Sequence, residues 1–374
     1  MAGIYIHIPF CKTKCHYCNF FSLASRKHIT DFTDILIKEI GLQENYLGDE
    51  IINTVYFGGG TPSLLDISDL NRIFDSIYAH FTLSEDAEIT LEANPDDVSP
   101  EWVSGIHTSP VNRISLGVQS FFDEQLEYLN RTHSAADAER AIRDLQNGGF
   151  ENMTIDLIYG IPGLDDGKWE RTLEKFLSFR LPHMSAYALT VEEKTALYTL
   201  IGKGRIAGPD EAAAISHFRL LMEMTQENQY IHYEISNFAL EGRYSRHNSI
   251  YWTGGHYLGL GPSAHSYNGT SRRWNKSSMK DWLRLEDHYD ESFEEEVLTT
   301  EERYNEYVMT SLRTMWGCDL AIVRQEFGQE YVGKLLSGAD RYIQDNSLIF
   351  KGSRLFLTNK GKLFADGIAS ELFA

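Results

Sequence analysis

MAGIYIHIPFCKTKCHYCNF, residues 1–20, is the stretch that decides the fold. Gly3–Ile8 is a short apolar run of the length of one buried strand. It stops at Pro9, and three of the chain's four cysteines follow as Cys11-x3-Cys15-x2-Cys18. Thiolates are soft ligands suited to iron–sulfur clusters and to zinc. Three of them on one loop can take three corners of a cluster and leave one iron open, whereas a structural metal site is usually closed by four ligands. A zinc site completed by His7 or His16 uses the same spacing, and three incidental thiols at this density would be unusual. Clustered thiols in a chain with few cysteines point to metal or redox chemistry rather than to a disulfide framework.

Working outward from this loop, further β-type runs recur at Ile52–Phe57, Glu88–Glu92, Arg113–Val118, Met153–Tyr159 and Met184–Leu189. Between them lie stretches with helical spacing, such as Thr30–Glu44 with Phe32, Ile35, Leu36 and Ile40 apolar, then Asp123–Asn130 and Ala135–Gly148. Strands separated by helices pair in parallel through βαβ crossovers. Six such units predict an α/β fold built as a partial parallel barrel, since a full one uses eight. An open doubly wound sheet fits the same pattern. In both, functional residues sit where strands end and loops begin. The cysteines after the first run and Gly58-Gly59-Gly60-Thr61-Pro62 after the second fall at such ends.

Beyond the sixth run, Gly202–Asn228 reads as helix and Ile231–Ile235 as a strand. Gly242–Gly269 is rich in Gly, His, Tyr and Trp without regular periodicity. The acidic stretch Glu286–Glu302 reads as a solvated linker or helix face. Thr299 with Glu302 forms a capping-box pattern that opens a helix to about Met315. Asn346–Phe356 reads as a hairpin and Thr358–Leu372 as a helix. The expected organisation is therefore a barrel over 1–235, a Gly/His/aromatic segment with the acidic linker over 236–298, and a small α+β, winged-helix-like C-terminal domain over 299–374.

The 374 residues carry a net charge of −20. Such an excess of carboxylates argues against nucleic-acid binding and against attraction to an anionic membrane. No apolar run approaches the ~20 residues of a membrane span, and the N-terminus lacks the pattern of a secretory signal. The expected location is the cytoplasm, with membrane contact only peripheral.

C-x3-C-x2-C behind an N-terminal strand resembles the radical S-adenosylmethionine superfamily, and YIHIPFCKTKCHYCNF is similar to its coproporphyrinogen dehydrogenase branch over nearly the whole chain. The resemblance implies a [4Fe–4S] cluster on Cys11, Cys15 and Cys18 whose open iron is chelated by the methionyl amine and carboxylate of S-adenosylmethionine. One-electron reduction can then yield a 5′-deoxyadenosyl radical. It further implies Gly59, Gly60 and Thr61 for the methionyl amine, and site roles for Glu92 in LEANP, Gln119 in GVQS, Arg131 in LNRTH and Asp156 in IDLIYGIPG. The chemistry is coherent: Arg131 offers a planar fork for a carboxylate, Gln119 and Asp156 can bond ribose hydroxyls, and Glu92 can accept from an amine. Tyr5 and Tyr17 are expected to line the pocket. Singly, a strand-end carboxylate is often only a cap, and Arg131 could be a surface charge.

Two features separate the chain from the decarboxylating members. Phe20 stands where their motif has a fourth cysteine, and Arg246-His247-Asn248-Ser249-Ile250-Tyr251-Trp252 resembles the HN-x-x-YW signature of the heme chaperone (HemW) group, as does YLGLGPSAHSYNG. That resemblance implies heme as a further ligand, with His247 as an axial candidate and Tyr251 and Trp252 able to stack on a macrocycle. His232, His256 and His265 compete for that role, and a histidine among aromatics is commonly a packed core group. Cys318, in MWGCDL, reads as structural. The implied function is heme carriage to acceptor proteins, respiratory hemoproteins above all, with an electron donor for the cluster and a heme-linked homodimer. The alternatives are oxygen-independent oxidative decarboxylation of coproporphyrinogen III and a zinc-bound interaction module.

Overall fold

The computed structural model describes residues 1–25, 27–285 and 289–374. Its centre is a run of six parallel strands in sequence order: β1 (Ala2–Ile8), β2 (Ile52–Gly59), β3 (Leu83–Ala93), β4 (Arg113–Gln119), β5 (Met153–Tyr159) and β6 (His183–Ala188). The crossovers are helical, as at Ile29–Leu42, Ile67–His80, Ala135–Asn147 and Asp166–Ser178. The β1–β2 register, Ile4 beside Val55 and Ile6 beside Phe57, places side chains that are fully buried next to one another. This is the partial α/β barrel expected from the alternation of runs.

The sheet grows beyond both edges of this unit. On the β6 side come β7 (Ile231–Glu234) and β8 (Asn237–Ala239), with β8 antiparallel to β6. On the β1 side, β9 (His256–Leu260) pairs in parallel with β1, so the segment without regular periodicity supplies a seventh parallel strand. β10 (His265–Tyr267), β11 (Ser271–Asn275) and β12 (Phe293–Val297) continue antiparallel to the outer edge. Among the described residues, twelve strands thus form one open sheet.

The acidic stretch is largely solvated as expected; its described part holds a short turn at Tyr289–Glu291, the first residues of helix Thr300–Leu312 and, between them, a strand, while Glu286 to His288 lie outside the described residues. The reason for the strand lies across the ladder: Arg272 faces Glu296 and Arg273 faces Glu295, and opposite charges directly across an antiparallel pair are favourable. The expected helix over 202–228 is two helices, Ala196–Gly202 and Glu211–Glu227. Gly204 in a left-handed conformation (φ 65°) and Pro209 break the stretch between them.

The apolar core divides in two, one cluster running from Ala2 to Trp282 and the other from Tyr304 to Leu372. The second belongs to helices Thr300–Leu312, Leu320–Glu326 and Gln329–Gln344 with strands β13 (Cys318–Asp319), β14 (Leu348–Lys351) and β15 (Arg354–Leu357), a winged-helix-like order. The Thr299–Glu302 capping box is present. Cys318 is fully buried in β13. The two parts are joined by main-chain bonds from Ile235 N to Arg313 O (3.0 Å) and from Met315 N to Tyr233 O (2.9 Å). No helix among the described residues is long and apolar enough to cross a membrane.

Candidate cofactor site

The strand ends β1 to β6 surround a cavity of about 820 Å³ that reaches from the cysteine loop to the C-terminal domain. Cys11, Cys15 and Cys18 line it, with Tyr17, Gly59, Gly60, Thr61, Glu92, Gln119, Arg131 and Asp156. Eleven residues singled out from the sequence therefore meet in one place.

The cysteine loop is fixed from several sides. Cys11 N donates to Leu23 O (2.9 Å), His16 N to Leu129 O (3.1 Å) and Leu197 N to His16 O (2.8 Å). Asn130 Nδ2 donates to Lys14 O (2.9 Å), and Lys12 pairs with Asp96 and Asp97. A loop so tied holds its thiols in place before any ligand arrives. Burial pushes the Cys11 and Cys18 thiols up from their ordinary pKa, so a cationic metal centre is what would favour their thiolates. Among the described residues, no three Cys, His, Asp or Glu side chains converge as one metal ion would need. The two histidines that might have completed a zinc site are engaged elsewhere: His7 Nε2 on Phe21 O (2.8 Å) and Nδ1 on Tyr5 OH (3.1 Å), His16 Nδ1 on Tyr128 O (3.0 Å). Three thiols on one loop at the edge of the cavity suit the corners of a cluster.

The glycines fit a close approach. A Cβ on Gly60 would stand 2.7 Å from Ile8 O and Phe10 O and 3.1 Å from Cys11 Sγ. Gly59 has φ 104°, and a Cβ there would meet the His7 ring at 2.5 Å. Side chains at these positions would collide with the strand and loop that carry the cysteines.

Arg131 is aimed by Asn94 and Gly117. Its Nη2 donates to Asn94 Oδ1 (2.7 Å) and Gly117 O (2.9 Å), and Nη1 to Cys15 Sγ (3.3 Å). Its Nε is buried without a partner. Glu92 accepts from Tyr56 OH (2.8 Å), and burial raises its pKa to about 7. Asp156 accepts from Ser115 Oγ (3.2 Å), and burial likewise raises its pKa. Gln119 sits at φ 65°, a strain of about 1–3 kcal/mol for a residue with a side chain. Asn94 was missed in the sequence although it lies two residues beyond Glu92; nothing in the local pattern says that it holds a guanidinium 37 positions away.

Tyr5 and His247 are placed one and two layers below this cavity. Tyr5 stacks on Tyr56 with ring centroids 6.1 Å apart. His247 is buried, stacks on Tyr56 at 5.0 Å, and uses both ring nitrogens: Nδ1 with Thr54 Oγ1 and Nε2 with Tyr251 OH, each at 2.8 Å. Its backbone N donates to Glu88 Oε1 (3.0 Å). Helix Arg246–Trp252 thus packs across the N-terminal ends of the strands, opposite the cysteines. An axial role for His247 requires one of its two ring bonds to open. The other three candidates differ: His256 pairs with Glu50, His232 is bonded at both nitrogens, and His265 is exposed.

Comparison with known proteins agrees with this geometry. Residues 5–176 match the model of the radical SAM superfamily, and residues 298–364 match that of the HemN C-terminal domain. The chain is 33% identical to a protein named heme chaperone HemW from Mycobacterium tuberculosis, over 99% of this chain and 94% of that one. It is 33% identical to the heme chaperone HemW of Bacillus subtilis over 98% of each. The solved structure of coproporphyrinogen III oxidase (HemN) from Escherichia coli, described as a radical SAM enzyme, superposes with a TM-score of 0.86 at 20% identity, covering all of this chain and 90% of that one, which establishes the shared fold. At 33% identity to these relatives over nearly the whole chain, and with the cysteine loop seated at the barrel mouth, the chain belongs to the HemW family of radical SAM proteins.

Proposed function

We propose that this protein carries a [4Fe–4S] cluster on Cys11, Cys15 and Cys18, holds S-adenosylmethionine beside it, binds heme and passes it to acceptor hemoproteins. The observation that carries the reading is the likeness, over nearly the whole chain, to proteins named heme chaperones. When bound, the cluster supplies an electron at low potential and an iron without a protein ligand.

The remaining tasks fall to the chain's own side chains. Gly59, Gly60 and Thr61 give the methionyl amine a wall of backbone and hydroxyl groups without a Cβ in the way. Arg131, with Nε unpartnered, meets the carboxylate. Gln119 and Asp156 face the ribose hydroxyls, Glu92 accepts from the amine, and Tyr17 closes the side of the pocket. Phe20, 61% exposed, lines the cavity and offers no metal ligand where the decarboxylating branch has a cysteine. This separates the proposed role from coproporphyrinogen decarboxylation. Acceptors are hemoproteins, respiratory ones first, and a separate reductant serves the cluster.

The test is an anaerobic hemin titration of the cluster-reconstituted protein, followed by mixing with an apo-form b-type cytochrome. Saturable Soret absorbance that moves to the cytochrome supports the carrier. No saturable binding, together with protoporphyrinogen and carbon dioxide from coproporphyrinogen III, would replace it with the enzyme.

A further inference from the structure

The cavity has a second wall, made by the C-terminal domain, which the S-adenosylmethionine reading does not use. Lys362 and Arg313 are the cations on it, and Phe364 stands beside them. Arg313 is fully engaged: Nε and Nη2 donate to Glu234 Oε1 (3.2 and 3.1 Å), and Nη1 pairs with Asp366. Lys362 is different. Its Nζ donates to His232 Nδ1 (2.9 Å), and no carboxylate among the described residues pairs with it. His232 is held ready for this by its other nitrogen, which donates to Ile235 O (2.9 Å) and so leaves Nδ1 as an acceptor. Burial lowers the Lys362 pKa to about 8 and keeps His232 neutral. Lys362 therefore lines the cavity with only a neutral partner on its ammonium group. A partly buried cation without an anion is costly until an anion arrives.

The rim of the same cavity carries three exposed aromatic side chains from three separate parts of the chain: Phe20 (61% exposed), Tyr187 (42%) and Phe364 (54%). Large aromatic rings left in water around one opening are unusual unless a ligand covers them. Aromatic faces beside one unpaired cation describe a flat, apolar body bearing an acid group.

We infer that heme lies at this mouth, between the cysteine loop and the C-terminal domain, with its ring against Phe20, Tyr187 and Phe364 and a propionate carboxylate on Lys362 Nζ. The inference rests on the heme-carrier reading and adds the place and the carboxylate contact. It assigns the C-terminal domain a direct part in holding the cargo. A single lysine grip on the propionate also leaves the macrocycle exposed at the mouth, where an acceptor can reach it.

The experiment is an anaerobic titration of the full-length, cluster-reconstituted protein with hemin and with hemin dimethyl ester, in wild type, Lys362→Met and Lys362→Arg. Charged hydrogen bonds of this kind change affinity by roughly ten- to a hundredfold. Lys362→Met should lose that factor for hemin, Lys362→Arg should keep most of the affinity, and the ester should bind wild type and Lys362→Met alike. Iron and sulfide content measured on each variant shows that the fold and cysteine loop are intact. Wild-type affinity for hemin in Lys362→Met, with heme binding otherwise normal, overturns the inference and leaves the carrier reading in place. Absence of saturable hemin binding in wild type overturns the carrier reading itself.

Discussion

The two ends of the barrel hold polar clusters of similar composition and opposite character. At the base, most side chains satisfy one another: His247 bonds Thr54 and Tyr251, and His183 bonds Thr154 and Tyr233, at 2.7 to 2.8 Å, with Arg113 Nη2 and Thr90 Oγ1 the buried exceptions. Glu88 takes the backbone N–H groups of Arg246 and His247 and lies 3.9 Å from the Arg113 guanidinium. Burial drives the His247 pKa down to about 3, so the ring is neutral. At the mouth, groups line open space instead: the Arg131 Nε has no partner, Glu92 takes the Tyr56 hydroxyl on one oxygen, and the three thiols line the cavity. A closed network specifies a core, and an open one awaits a ligand. Residue type alone does not distinguish the two; the remaining hydrogen-bonding capacity does.

Substitutions should separate the ends in kind as well as in size. Cys15→Ala should abolish the iron–sulfur absorbance completely while far-UV circular dichroism stays unchanged, because this thiol supports the site and not the core. A full cluster spectrum in the variant would remove Cys15 from the ligand set.

His247→Ala acts at the closed end. It leaves two buried hydroxyls without partners and opens a cavity, which should cost roughly 3 kcal/mol of stability. Denaturant unfolding measures that loss. Soret loss in a variant that remains folded and equally stable, such as His247→Gln, would place an iron ligand at the barrel base and break the contrast.

Arg131→Ala removes the guanidinium and should weaken S-adenosylmethionine binding roughly ten- to a hundredfold by anaerobic calorimetry. Unchanged affinity would mean that the guanidinium serves only Asn94 and Gly117.

The smallest effect is a pH dependence. Glu92 keeps its proton until about pH 7 in the free site, and a protonated carboxyl accepts poorly from an ammonium group. Affinity for S-adenosylmethionine should therefore rise with pH and level off above about 7, differing by about three- to tenfold between pH 6 and pH 8. Glu92→Gln should bind more weakly and lose the slope. A slope that persists in the variant assigns the titration to another group.

The open end was far more legible in the sequence than the closed one. Cys11, Gly59, Glu92 and Gln119 stand at or just past the ends of recognisable runs of β-type residues, and parallel alternation brings those strand ends to one face. The base was obscured for the same reason that it is stable. His247 reaches Thr54 across 193 positions and Arg246 reaches Glu88 across 158, and no local period encodes such pairings. The helix Arg246–Trp252 is only seven residues long, too short to show amphipathic spacing. The Arg272–Glu296 ladder was visible only as an acidic run and two arginines, because cross-strand pairing is not a property of either run alone. Lys362 carries no local signal, because its place on the cavity wall depends on how the C-terminal domain packs against the barrel.

The most direct test of the open end is anaerobic reconstitution with iron and sulfide, then electron paramagnetic resonance of the reduced protein with and without S-adenosylmethionine. About four irons and four sulfides per chain are expected, with a spectrum that shifts when S-adenosylmethionine is added, since the cofactor would meet an iron without a protein ligand. Zinc at one equivalent, or a cluster signal that S-adenosylmethionine leaves unchanged, would contradict that expectation.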